Sequence, residues 1–433
     1  MKHLLIICLA AIGFSNLFAQ DVFVPMNYNA LEKKIQKSNE DIADPKKEID
    51  PKTWIKRGEI MHSVYEIDLE QIYEGMTTTN LILFYQEPVI STEEIDGKSF
   101  DVYSYERVKF YFENGQLFMW KKTKMAFENP LKEAYNCFVK AAELDKEGKL
   151  SEKLYEDFDK LKTHLKKNGI NSYYAGNKED ALTNFELVLL INELPILKGA
   201  VDTVLIQYSG IIAREMGQYA RAIKHYKVLA NVDSEPNTYL LIKEDYLKLK
   251  DTVSAITSME EGFKKYPDTL NVVANLVDLY IRTGKIEDGL KTIEGALVNN
   301  PEKGEFYYWK GRLQLNTTDD DRITKALDSY NLAITKNPGL YYAYYDIGFI
   351  YYLQGQDLFT RAGEEKDIKY REEMIKVGTE NYEKSVPNLE KALELNTSNM
   401  DIKKETLDTL KRVYYKLQMT EKYDQATEML KNM

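Results

Sequence analysis

Four histidines and two cysteines are the strongest candidate metal ligands and nucleophiles among the 433 residues, so they are weighed first. His62, His164 and His225 stand far apart, without His-Glu-x-x-His or His-x3-His spacing, so a histidine metal centre would need long-range convergence. The spacing therefore predicts no zinc site and no cofactor. Cys137 lies in an apolar helical stretch and reads as a small buried hydrophobe. Gly97-Lys98-Ser99 imitates the end of a phosphate-binding loop, but Thr92 stands where the first glycine belongs, and the segment reads as a hairpin turn. Asp319-Asp320-Asp321 lacks the glycine and distal glutamate of a calcium loop. With no Gly-x-Ser-x-Gly elbow either, no set of nucleophile, base and orienting group can be assembled, and the chain is expected not to be an enzyme.

Lysine plus arginine number 58 against 69 acids, a net charge of −11, so the summed field repels phosphate backbones and nucleic acid is not an expected partner. A composition of 44% hydrophobic and 29% charged residues, with only 11 prolines, is that of a chain with a packed core. At the start, Lys2 and His3 precede an apolar run from Leu4 to Phe14, and Ala19 offers a cleavage point before Gln20, which reads as a secretory signal peptide over residues 1–19. The run is about half the roughly 20 residues that span a bilayer, and no later run is longer, so no membrane span is predicted. Leu5-Ile6-Ile7 before Cys8 lacks the small residues of a lipid-anchor site. Residues 20–50 form a polar leader, and after cleavage Cys137 is the sole cysteine, so no internal disulfide is available.

The elements that must position any site are set by a repeat. A small residue, a large apolar one four later and a small or apolar one three after that recur at Ala181/Phe185/Val188, Ala222/Tyr226/Leu229, Ala255/Met259/Gly262, Gly289/Ile293/Ala296, Ala326/Tyr330/Ala333 and Ser385/Leu389/Ala392. Pro267, Pro301 and Pro338 close units, and glycines fall at intervening turns at Gly176, Gly217 and Gly284. Each unit reads as two helices joined by a tight turn, with small positions admitting close approach and aromatics filling the gaps. One such pair cannot bury its apolar faces alone, so pairs must stack.

The 34-residue spacing, the Ala-x3-Phe/Tyr-x2-Ala pattern and the closing proline resemble the tetratricopeptide repeat family. The resemblance implies an all-α helical-repeat solenoid, a superhelix of about eight helix pairs. The first repeat is split into residues 51–65 and 130–145 around an inserted module at 66–129, and repeats 2 to 8 fill residues 146–433, with a charged helical insertion near 357–376. In the module, aromatic and polar residues alternate from Phe100 to Lys121, and Asn114-Gly115 supplies the positive φ of a tight hairpin, so an α+β unit is expected, with a short helix over Thr77 to Tyr85. The order Gly75-Met76-Thr77, Glu87-Pro88, Tyr103-Ser104-Tyr105 and Phe112 to Trp120 resembles small outer-membrane lipoproteins of the SmpA type, although Gln86 stands where that family has glycine.

By the repeat resemblance, first-helix positions facing the groove include Lys166, Ile170, Tyr173, Gln207, Ile211, Arg214, Glu244, Asp278, Tyr308, Arg312, Tyr345, Phe349 and Tyr352. Tyrosine and arginine are favoured interface anchors, and these candidates grow aromatic towards the C-terminus. Ile170 replaces the asparagine of the family's carboxylate clamp, so an internal segment or a folded surface is the expected ligand. Repeat architecture and export together predict a non-catalytic scaffold for a protein partner in a Gram-negative envelope, periplasmic or associated with an outer-membrane complex. A glycan-binding envelope protein is the alternative.

Overall fold

The computed structural model describes residues 27–73, 75–85, 87–95, 97–197, 201–232 and 235–433. The expected signal peptide therefore lies outside the described residues. The chain divides into two compact units between His225 and Tyr226.

The first unit holds α1 (Tyr28–Ala43), α2 (Pro51–Glu66), α3 (Thr78–Phe84), strands β1 (Val89–Ile95), β2 (Lys98–Ser104), β3 (Val108–Glu113) and β4 (Gln116–Lys122), then α4 (Pro130–Leu144), α5 (Ser151–Tyr174), α6 (Lys178–Asn192), α7 (Thr203–Glu215) and the start of α8 (Tyr219–Val232). The second unit continues with α9 (Pro236–Lys248), α10 (Thr252–Lys265), α11 (Leu270–Arg282), α12 (Ile286–Asn299), α13 (Gly304–Leu315), α14 (Arg322–Lys336), α15 (Tyr341–Glu364), α16 (Ile368–Leu395), α17 (Met400–Lys416) and α18 (Thr420–Lys431).

From α5 onward each odd-numbered helix is joined by a short turn to the next. In α5/α6, α7/α8, α9/α10, α11/α12 and α17/α18 the turn has one form: the second residue after the first helix takes positive φ, and the next amide reaches back five residues. Thus Asn177 N–H donates to Ser172 O at 2.8 Å and Gln218 N–H to Ala213 O at 2.9 Å, across Gly176 and Gly217. In α9/α10 and α17/α18 the same left-handed position is held by Lys250 and Gln418, at φ 60 and 57, where a side chain is strained. Among the described residues, three second helices are capped by side chains, α6 by Asn177, α16 by Asp367 and α10 by Asp251, which accepts from Ser254 N–H at 3.0 Å.

Helix-to-helix packing follows the small-to-large pattern. Gly58 abuts Phe138 across the α2/α4 pair and Gly169 abuts Phe185 across α5/α6, while a Cβ on Gly311 would lie 2.5 Å from Tyr330 and one on Gly348 2.7 Å from Leu389. The glycine lets the aromatic or leucine side chain lie against the opposing backbone. The charged excess near 357–376 lengthens both α15 and α16, to 24 and 28 residues.

The inserted strands form an antiparallel meander in the order β1-β2-β3-β4. Asn114 and Gly115, both at positive φ, close the β3–β4 hairpin, and Gly97 lies at the β1–β2 turn. Both faces of the sheet are covered over β2 to β4, while the edge strand β1 is exposed along most of its length. Phe110, Phe112 and Trp120 pack with Leu81 and Tyr85, while Phe100, Val102, Tyr111 and Met119 pack with Tyr174 of α5. The polar leader contributes α1, which buries Leu31 and Ile35 and is tied down by the buried Arg57 of α2. The Arg57 guanidinium donates to Ser38 Oγ at 3.0 Å, Asn39 Oδ1 at 2.7 Å and Glu133 Oε1 of α4 at 2.8 Å.

Candidate partner-binding groove

The candidates of the first unit lie on α5 and α7. Lys166 Nζ pairs with Asp202 Oδ2 at 2.7 Å, and Asp202 also caps α7 by accepting from Leu205 N–H at 3.0 Å, so this ion pair ties two first helices together. Tyr173 and Arg214 are half-buried and Gln207 is exposed. In the second unit Glu244 and Asp278 are exposed, and Asp278 is paired with Arg282 one turn on at 2.8 Å.

The aromatic end departs from expectation. Tyr308 and Tyr345 are core residues, 5% and 7% exposed, and Tyr352 shows only an edge. Tyr308 packs with Tyr330 and Tyr342, and Arg312 turns inward to donate to its hydroxyl at 3.2 Å. Asp346 is set against these groups. Burial pushes its carboxyl up to about 6, and the Arg312 guanidinium with the Tyr308 and Tyr330 hydroxyls pulls it down without prevailing. The correction has a simple cause. Residues 308, 312, 345 and 352 lie on the side of their helices that meets the neighbouring pair, and a run of tyrosines does not declare which face is covered.

What faces solvent here is a cleft of about 470 Å³ between α15 and α17. Phe349, Tyr352 and Leu353 form its apolar wall, and Asp401, Glu405, Asp408, Lys404 and Arg412 rim it. Behind the wall, Tyr345 stacks on Phe349 at 5.5 Å, Phe349 meets Tyr352 at 5.8 Å and Tyr352 stacks on Tyr382 at 5.8 Å, so the wall is rigidly backed. The rim residues of α17 were missed in the sequence, although their spacing at 401, 404, 405, 408 and 412 marks one helix face.

A second constellation was also missed. His62 of α2 and His164 of α5 do converge, with Nε2 of the first 2.5 Å from Nδ1 of the second, and Glu66 Oε1 lies 3.6 Å from His164 Nε2. Burial, then His164 and Lys160, hold His62 down at about 3; burial, then Lys167 and Lys122, hold His164 down at about 4. His62 and Glu66 are spaced i,i+4, the one sign of this group in the sequence.

The fold is an all-α helical repeat whose paired helices and glycine-to-aromatic contacts are similar to those of tetratricopeptide repeats, with a small four-stranded sheet inserted between α2 and α4. That assignment rests on the chain's own helix pairs and their repeating contacts. No family model matches the chain. Among solved structures it is similar to a TPR repeats protein from Bacteroides fragilis, 18% identical, covering 57% of this chain and 97% of that one at a TM-score of 0.33. It is also similar to the C-terminal part of a TPR repeat-containing protein from Cytophaga hutchinsonii, 17% identical, covering 63% and 99% at a TM-score of 0.36. Among curated proteins it is similar to BBSome complex member bbs-4 of Caenorhabditis elegans, 26% identical over 99 residues, which are 22% of this chain. The chain spans about a fifth of that relative's length, 21%.

Proposed function

We propose that this protein is a non-catalytic scaffold that holds a segment of a protein partner against the α15/α17 cleft, and that it works in the bacterial envelope after removal of residues 1–19. The observation that carries the reading is the cleft itself: an apolar wall backed by stacked rings and rimmed by both charge signs, the anatomy of an interface core with a polar edge. Export is supported by the basic head, apolar run and Ala19 of the sequence. Among the described residues no helix is long and apolar enough to cross a membrane.

Crosslinking in envelope extract, capture of the protein and mass spectrometry of what accompanies it test the reading. Leu353→Asp and Arg412→Glu change exposed cleft residues and should spare the fold, with Val298→Asp, on an exposed site of α12, as control. A stoichiometric partner lost with the two cleft variants and kept with the control supports the scaffold. Recovery of no protein above background removes it and turns the search to glycans.

A further inference from the structure

We infer that His62, Glu66 and His164 form a binding site for a divalent transition-metal ion of the zinc class. One ligand atom from each residue can be chosen so that all three lie within 4.8 Å of one another. A tetrahedral ion with bonds of about 2.0–2.1 Å needs its ligand atoms about 3.3 Å apart. The required movement is therefore small and confined to side chains. The two imidazoles, now in direct contact, part by somewhat under 1 Å as an ion replaces the shared proton.

The ligand set is chemically apt. Two imidazoles and one carboxylate suit zinc, and both rings are held neutral by their burial, the form that ligates. His62 Nε2 and His164 Nδ1 are the atoms that meet, and both turn their lone pairs to the ion once the shared proton has left. Glu66, whose Oε1 lies 3.6 Å from the same His164 ring, supplies the third ligand by a side-chain rotation. The elements are fixed before any ion arrives. His62 and Glu66 sit one turn apart on α2, and the His164 ring is held 5.5 Å from that of Tyr65. A cleft of about 330 Å³ lined by Tyr65, Glu66, Glu70, Trp120, His164 and Lys167 supplies an entry path and room for a fourth, water ligand. The ligand set and open position are those of mononuclear zinc sites that keep one coordination place free.

Cations face the site as well. Lys160 bears on His62, and Lys122 and Lys167 bear on His164. Two of the three are engaged elsewhere: Lys122 Nζ lies 3.0 Å from Asp68 Oδ2, and Lys167 Nζ sits 4.9 Å from the Trp120 ring centroid. Glu70 adds a further negative charge beside Glu66.

The test is calorimetric titration of zinc chloride into the full chain after chelator treatment, with cobalt absorption as an independent readout of geometry. One zinc per chain is expected, with the intense visible bands of tetrahedral cobalt. Glu66→Gln should weaken zinc by tenfold or more, and His62→Ala and His164→Gln should each abolish binding and the cobalt bands. Melting of the metal-free variants checks that they fold; if His62→Ala does not, the half-buried His164 and Glu66 carry the test. No zinc uptake by the parent chain overturns the inference. So does uptake left undiminished by Glu66→Gln or by His164→Gln.

Discussion

The two units share one packing rule and differ in what they bury with it. In both, a glycine of one helix receives a large apolar side chain of its partner: Gly169 with Phe185 in the first unit, Gly311 with Tyr330 in the second. The buried polar groups are of opposite kinds. The first unit encloses neutral histidines and an ionised carboxylate, Glu186. Burial alone would raise that carboxyl, but Arg221 and His225, bonded to it at 2.5 to 2.9 Å, hold it down at about 2. The second unit encloses Asp346 among tyrosines and favours its protonated form. The rule of sizes decides the fold, and the polar residues enclosed by it decide how each unit answers acid.

The largest test of the shared half is truncation of the large partner. Phe185→Ala and Tyr330→Ala should each cost about 3–5 kcal/mol, felt first as lost hydrogen-exchange protection in the mutated pair. Equal, small losses would show that the glycine-to-aromatic contacts are not what holds the pairs. Filling from the other side is milder. Gly169→Ala and Gly311→Ala should cost about 1–3 kcal/mol in denaturant unfolding, since a Cβ meets a ring that must shift.

Acid should separate the units. Glu186 titrates near 2 when folded and near 4.5 when free, so its contribution is present above pH 4.5 and is lost as pH falls towards 2. His62 and His164, at about 3 and 4 when folded against 6.5 when free, begin to cost stability as pH falls below 6.5. Asp346 runs the other way. Its folded value of about 6 lies above the free value of 3.8, so its stabilisation is full below pH 3.8 and is lost as pH rises through 6. Between pH 6.5 and 4, exchange should quicken in α2 and α5 by roughly tenfold per unit of net proton linkage and slow in α13 and α15. Asp346→Asn should flatten the second response alone.

The smallest effect sharpens the comparison at the turns. Gly176 and Gly217 serve the first unit and Gly284 one turn of the second, where Lys250 and Gln418 hold the same left-handed position at two others. Lys250→Gly and Gln418→Gly should raise thermal stability by about 0.5 kcal/mol each, the relief of side-chain strain exceeding the added entropy of the unfolded chain.

The helix pairs were legible in the sequence because their contacts are local and periodic: a small residue at Ala326 and an aromatic at Tyr330 already state how α14 meets its neighbour. The β3–β4 hairpin was legible because Asn114-Gly115 has few other uses. Its likeness to SmpA-type lipoproteins rests on residue order alone. The leader's helix was hidden, since it turns only Leu31, Ile35 and Ser38 into cover, too few for a clear stripe. At the groove, Phe349 was placed at the cleft, while Tyr308 and Tyr345 turned inward, because facing is settled by the next helix pair. The meeting of His62 and His164 across 102 residues has no sequence trace beyond the spacing of Glu66.

The split first repeat bears on the order of assembly. Helices α2 and α4 pack on one another, yet residues 67–129 intervene where a short turn would serve in an ordinary pair. Closing so long a loop carries an entropic penalty of about 0.6 kcal/mol for each doubling, and about four doublings separate it from a short turn. The meander relieves this if it forms first, since its hairpins are local and draw the two ends of the gap together. On this ordering the sheet is the nucleus of the N-terminal region, and a register slip at Asn114-Gly115 would delay α2 and α4 rather than any later pair.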